Sequence, residues 1–184
     1  VCILLLFVAG LPSKWFFGGG IAAVLLAFIA IIIEPYRMKR LVTFLDPFKY
    51  KMGDGWQIVQ SLYAIGSGGL FGLGLGRSRQ KYLYIPEPQN DFIFSIICEE
   101  LGLVGALAVI ILFAVFVYRG VNIALRAPDR FGRYLAFGMT ALVAIQVIVN
   151  IAVVTSSMPV TGMQLPLFSA GGSSMVFLLA GLGI

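Results

Sequence analysis

An all-α polytopic membrane protein, a transmembrane helix bundle with one long external loop, is the fold class this sequence predicts. Three observations predict it. Apolar residues make up 60% of the 184-residue chain and charged residues only 11%, less than half the share of about 25% usual in a soluble domain. The charges are clustered, leaving uncharged runs long enough to cross roughly 30 Å of hydrocarbon. No charged residue follows Arg133, and backbone exposed to lipid must satisfy its own hydrogen bonds, which favours helices for such runs.

In chain order, residues 1–12 carry no charge and form a partial span, and residues 15–33 form the first complete one. Val1 and Ile184 both fall inside apolar runs, so both ends are expected to be cuts in a longer protein. Residues 34–91 form a long loop with eight Lys/Arg and five Asp/Glu. A second span covers 92–118, interrupted in composition only by Glu99 and Glu100. A short basic loop, 119–133, leads into a third span at 133–156. Pro159, Gly162, Pro166 and Gly171-Gly172 then break the apolar tract, giving a loop at 157–171 and a last, partial span at 172–184. All of it is read as one membrane domain.

Arg119, Arg126, Arg130 and Arg133 against Asp129 make the short loop cytoplasmic by the positive-inside rule, which places 34–91 outside. The chain contains no histidine, which excludes Ser-His triads and most zinc sites. Cys2 and Cys98 have no metal-ligand spacing. Acid–base chemistry is left to carboxylates, Lys, Tyr or water.

Within the long loop, Trp56, Val59, Leu62 and Tyr63 follow helical spacing and read as a short amphipathic helix at the membrane interface, or as a plain connector resting there. Glycines at 68, 69, 72, 74 and 76 precede Arg77, Arg79 and Lys81. Backbone N–H groups beside clustered cations suit a phosphate or pyrophosphate; the bland alternative is a flexible loop with a solvated basic rim. Asn90 is a plausible cap of the following helix, with Asp91 in its first turn. Asp91 is then either a capping carboxylate or a candidate general base. Glu99 and Glu100 lie two turns into a span, where ionisable groups are usually functional or paired. Gln146 and Asn150, four apart, read as interhelical glue.

The string GLGLGRSRQKYLYIPEPQNDFIFSIICEELGLVG resembles the hallmark loop-to-helix region of the SEDS glycosyltransferases, the FtsW/RodA/SpoVE family. PYRMKRLVTFLDPF at 35–48, GDGWQIVQSLYAIGSGGLFG at 53–72 and NIAVVTSSMPVTGMQLPLFSAGGSS at 150–174 resemble the same family in collinear order. The spelling GRSRQKYLYIPEPQ is nearer the division and sporulation members than the elongation member. Asn90 stands where Thr is usual, and Ala170 where an aromatic residue is common.

The resemblance implies a bundle of about ten helices, of which this chain covers the end of the sixth to the start of the tenth. It implies polymerisation of lipid II, with Asp91 at the position of the family's essential loop aspartate. Substrate-binding candidates in the matching motifs are Arg37, Arg40, Gln60, Ser61, Arg77, Arg79, Lys81, Glu87, Ser173 and Ser174, with Glu87 orienting one of the cations. Asp91 as ligand of a divalent cation, Mg or Mn, is the alternative to Asp91 as base. Implied partners are a class B penicillin-binding protein, divisome or sporulation proteins and membrane lipid, with no nucleic acid. The implied location is the bacterial inner membrane at the division or sporulation septum. A lipid II flippase and a non-catalytic scaffold for a penicillin-binding protein remain as other function classes.

Overall fold

A computed structural model describes residues 1, 5–6, 10, 12–51, 53, 55–78 and 90–183. The predicted partial span at 1–12 lies mostly outside that set. Among the described residues there are six helices: α1 (Ser13–Ile33), α2 (Pro35–Leu45), α3 (Trp56–Gly68), α4 (Ile93–Arg126), α5 (Arg130–Val154) and α6 (Gly172–Leu182). The protein is an all-helical membrane protein. Helices α4 and α5 are each long and apolar enough to cross a bilayer, and α1, with 21 residues, reaches roughly 32 Å at 1.5 Å per residue.

Prolines set the first boundaries. Pro35 cannot continue α1 and pushes Glu34 to an extended φ of −107°, but its fixed φ suits the first position of α2. Asp46 before Pro47 ends α2 in the same way, and its Oδ1 accepts the Lys49 N–H at 3.2 Å. Among its described residues the long loop thus holds two helices, α2 and α3.

Helix α3 lies where the sequence places it, but with a different packing face. Ile58, Val59, Gln60, Ser61, Ala64 and Gly68 are buried against α4 and α5, whereas Tyr63 is 51% exposed. The helix is thus packed into the bundle rather than merely resting at the interface. The reason is size: small residues let backbones approach closely. A Cβ on Gly68 would lie 1.9 Å from the Cys98 carbonyl oxygen.

The glycine run and α4 are joined through their backbones. Helix α4 is broken at Gly102, which has φ 66° and ψ −163°. In a continuous helix Leu103 and Val104 would donate to the carbonyls of Glu99 and Glu100. Instead Leu73 N–H donates to Glu99 and Gly74 N–H to Glu100, both at 3.0 Å, while Leu103 N–H donates to Gly69 at 2.9 Å and Val104 N–H to Leu70 at 3.2 Å. Loop 69–74 is spliced into the helix and gives these two carbonyls and these two amides new partners. Leu73 and Gly74 amides read as a phosphate cradle are engaged in this splice, because an apolar environment leaves no water to satisfy an open turn.

The basic loop is also shorter than its composition suggests. Helix α4 runs on to Arg126 and α5 starts at Arg130, so Arg119 and Arg126 belong to one helix and Arg130 and Arg133 to the other. Long arginine stems can lie along apolar helix surface while the charge reaches water, so charge alone does not mark a helix end. Only Ala127–Asp129 connects the two. Asp129 caps α5 by accepting the Gly132 N–H at 2.6 Å.

The core sits between α4 and α5. It comprises Phe92, Phe94, Cys98, Ala106, Phe113, Val143, Val147 and Val154, closed by Leu165 from the last loop and Leu178 from α6.

Candidate functional site

Three segments converge where α4 begins. The first is the turn holding Asn90 and Asp91. Helix α4 starts only at Ile93, with Phe92 at the cap position, so Asn90 and Asp91 lie in the turn before it. Both residues are held out of the helix by their carbonyls. Ser169 Oγ donates to the Asn90 carbonyl at 2.5 Å, and Asn150 Nδ2 donates to the Asp91 carbonyl at 2.8 Å.

The second segment is the last loop, which Asn150 ties to the same turn by a further bond to the Met163 carbonyl at 2.7 Å. Leu165 N–H donates to Ser169 Oγ at 2.9 Å, and the Phe168 ring lies 5.7 Å from that of Phe113 in α4. Leu167 is kept at φ 66°, a left-handed conformation costing about 1–2 kcal/mol for a residue with a Cβ, which persists only in a loop anchored on both sides. Asp91 Oδ2 is directed at this loop: it lies 3.6 Å from where a Cβ on Gly162 would stand. The third segment is α2, whose Arg40 Nη1 donates to the Val160 carbonyl at 2.7 Å. A guanidinium and a carboxylate thus flank one short stretch, 160–162.

Asn150, 1% exposed, anchors this turn, although its sequence position pointed only to contact between helices. Its amide reaches loop and turn instead, and among the described residues its Oδ1 is buried without a hydrogen-bond partner. The readable signal was a polar residue one turn before the end of a span. Asn150→Leu removes both carbonyl bonds and leaves two buried acceptors open, at about 1–3 kcal/mol each. The expected result is a clear fall in activity and a lower melting temperature by thermal shift, with an Asn150→Asp variant equally impaired because a carboxylate cannot donate.

The remaining candidates are placed as follows. Arg37 lies one turn before Arg40 on α2. Arg77 is exposed at the end of the spliced loop. Ser61 is fully enclosed, its hydroxyl donating to the Val154 carbonyl of α5 at 2.9 Å, and Gln60 is buried beside it. Ser173 is exposed at the start of α6. Ser174 Oγ donates to Gln164 Oε1 at 2.7 Å, a contact that leaves no room for a side chain at Gly171. Gln164 and Ser174 line a cavity of about 270 Å³ between α5, α6 and the last loop, with Gln146, Ser169 and apolar residues of both helices. Arg79, Lys81 and Glu87 lie outside the described residues.

Comparison with known proteins accounts for this arrangement. All of residues 1–184 match the model of the FtsW/RodA/SpoVE family, described as cell cycle proteins. The chain is 49% identical over its whole length to stage V sporulation protein E of Bacillus subtilis, covering 50% of that protein. It is 45% identical, again over its whole length, to the probable peptidoglycan glycosyltransferase FtsW of Trichlorobacter lovleyi, covering 48% of it. Among solved structures, one described as the structural coordination of polymerization and crosslinking by a peptidoglycan synthase complex superposes with a TM-score of 0.73 at 36% identity, over 97% of this chain and 49% of that one. A point mutant of the rod shape determining protein RodA of Thermus thermophilus superposes with a TM-score of 0.59 at 31% identity, over 98% of this chain and 44% of that one. The chain spans about half the length of the curated relatives it matches. With a family match along every residue and the same helices in the same arrangement, this chain belongs to the FtsW/RodA/SpoVE family.

Proposed function

We propose that the protein containing this chain polymerises lipid II into glycan strands. The observation that carries the reading is the placement of Asp91: its backbone is clamped from α5 and the last loop, and its carboxylate is directed at residue 162, next to the carbonyl held by Arg40. In this reading a sugar 4-hydroxyl attacks the anomeric carbon of a second lipid-linked sugar, a new C–O bond forms, and the bond to polyprenyl pyrophosphate breaks. Asp91 accepts the hydroxyl proton. Inversion at the anomeric carbon gives a β-1,4 link. Arg40, with Arg37, Arg77, Arg79 and Lys81, supplies positive charge to the departing pyrophosphate.

A divalent cation, Mg or Mn, fits the same place in one mode only. Among the described residues no group of three or more His, Cys, Asp or Glu side chains could hold a metal, so Asp91 would share the ion with the substrate's phosphates, a common arrangement for Mg²⁺. The ion would there neutralise charge developing on the pyrophosphate.

Transport of lipid II, the runner-up, would use polar residues along a path through the bilayer. Of the four available, Asn150 is engaged with two backbone carbonyls and Glu99 with Ser78, which supports the polymerase reading. The deciding experiment reconstitutes the full-length protein with its partner and follows labelled lipid II both into polymer and across the bilayer. Polymer formed from externally supplied lipid II supports the proposal. Flipping with no polymer overturns it in favour of transport, and neither activity favours the scaffold.

We further assign the protein to the division or sporulation branch, at the septal inner membrane, on its similarity to FtsW and stage V sporulation proteins. A cross-linking partner, a class B penicillin-binding protein, follows from the synthase complex it resembles. The 34–91 segment faces outward in this scheme, where the wall is built. Ser67 is exposed on α3, so cysteine at 67, in a variant lacking the native thiols, is expected to react with a membrane-impermeant maleimide in intact spheroplasts. Reaction only after lysis would put Asp91 on the cytoplasmic side and sink the scheme.

A further inference from the structure

The proposed reaction leaves one buried acidic residue without a role. Glu99 is 1% exposed and sits in the last turn of the half-helix that ends at Gly102. An ionisable group enclosed this way is costly unless it is hydrogen-bonded or paired. Glu99 grips the spliced loop at two points. Its backbone carbonyl accepts the Leu73 N–H, and its Oε2 accepts the hydroxyl of Ser78, itself only 1% exposed. Between those two points the loop closes a turn in which Arg77 N–H donates to the Gly74 carbonyl at 3.2 Å. Arg77, adjacent to Ser78, is thereby held with its side chain exposed. The half-helix carrying Glu99 begins at Ile93, two residues after Asp91, and the six rises from Ile93 to Glu99 span roughly 9 Å. Glu99 and Asp91 are thus joined by a rigid segment of fixed length.

We propose that Glu99 is a positioning residue: through Ser78 its carboxylate fixes Arg77 at a set distance from Asp91, so that the guanidinium meets the pyrophosphate of the lipid-linked donor. The proposal rests on the polymerase reading. It assigns the carboxylate of the EELG motif to substrate engagement through the loop, and the backbone of the same residue to the splice. Arg77 contributes by charge, which salt screens, whereas Asp91 acts on the proton. Losing the Glu99–Ser78 bond therefore weakens donor engagement more than turnover.

The test uses the full-length protein reconstituted with its partner and labelled lipid II. Ser78→Ala and Glu99→Ala are each expected to raise KM for lipid II about tenfold with kcat within about threefold, and to flatten the dependence of kcat/KM on salt. Glu99→Gln, which keeps an acceptor for Ser78, is expected to recover most of the lost KM. The double variant Glu99→Ala/Ser78→Ala is expected to be no worse than the poorer single one, since the two residues form one contact. If Glu99→Ala fails to fold, Ser78→Ala alone decides. An unchanged KM and salt dependence in Ser78→Ala, or a loss of kcat that follows the melting temperature, overturns the proposal and leaves Glu99 a structural residue. Failure of the polymerase reading looks different: the wild-type protein would then form no polymer from externally supplied lipid II.

Discussion

Asp91→Asn is expected to lower glycan polymerisation by about 10² to 10⁴-fold, the range a positioned general base contributes, while the protein inserts and melts as the wild type does. The substitution keeps shape and leaves both backbone clamps intact, because Asn150 and Ser169 bind the carbonyls of residues 91 and 90 and not the side chain. It removes the capacity to accept a proton or share a cation. Those two roles separate on adding Mn²⁺ or Mg²⁺: a base is not replaced by metal, whereas a weakened metal site recovers in part at high concentration. The readout is polymer length from purified, reconstituted protein. Near-normal polymer from the Asn variant would end the catalytic assignment. Loss of transbilayer movement with normal polymerisation of externally supplied lipid II would replace it with transport.

Gly72→Ala is expected to be the most damaging single methyl group in the chain. Gly72 has φ +78°, and a Cβ there would stand 2.1 Å from the Glu100 carbonyl oxygen. That oxygen is backbone, fixed by the Gly74 N–H, so it cannot turn aside. Left-handed strain of about 1–2 kcal/mol adds to overpacking of about 1–3 kcal/mol, and opening the splice would leave up to four buried backbone bonds unmade. We expect little accumulated protein, or a melting temperature lower by on the order of 10 °C. Gly66→Ala is the matched control. Gly66 is helical, exposed and open at its Cβ, and alanine there should be neutral or stabilising by up to about 1 kcal/mol. Equal stability of the two variants would show that the splice does not hold α4 together.

Much of this molecule was legible before any coordinates. Uncharged runs located α1, α4, α5 and α6, since a bilayer admits few other structures. The motif strings indicated the family and singled out Asp91. Less legible was what holds Asp91. Ser169 and Asn150 are 79 and 59 residues away from the residues they bind, and no local pattern connects them. Arg40 meets the Val160 carbonyl across 120 residues. The packing face of α3 was misread for a related reason. Sequence periodicity points to large apolar side chains, but beside Ile58 and Val59 this contact uses Ser61, Ala64 and Gly68, whose value is their smallness and shows only against a neighbour.

The sequence by itself determined the class of protein, the order of the helices and the residue types available for chemistry, because hydropathy and the absence of histidine are properties of the chain alone. The tertiary structure decided what the glycine loop and Glu99 bind to. A run of glycines beside arginines is compatible with a phosphate loop, and nothing local distinguishes that from a backbone inserted into another helix. The distinction rests on which carbonyls the Leu73 and Gly74 amides meet. Those belong to Glu99 and Glu100, more than twenty residues further on, and they are open only because α4 breaks at Gly102.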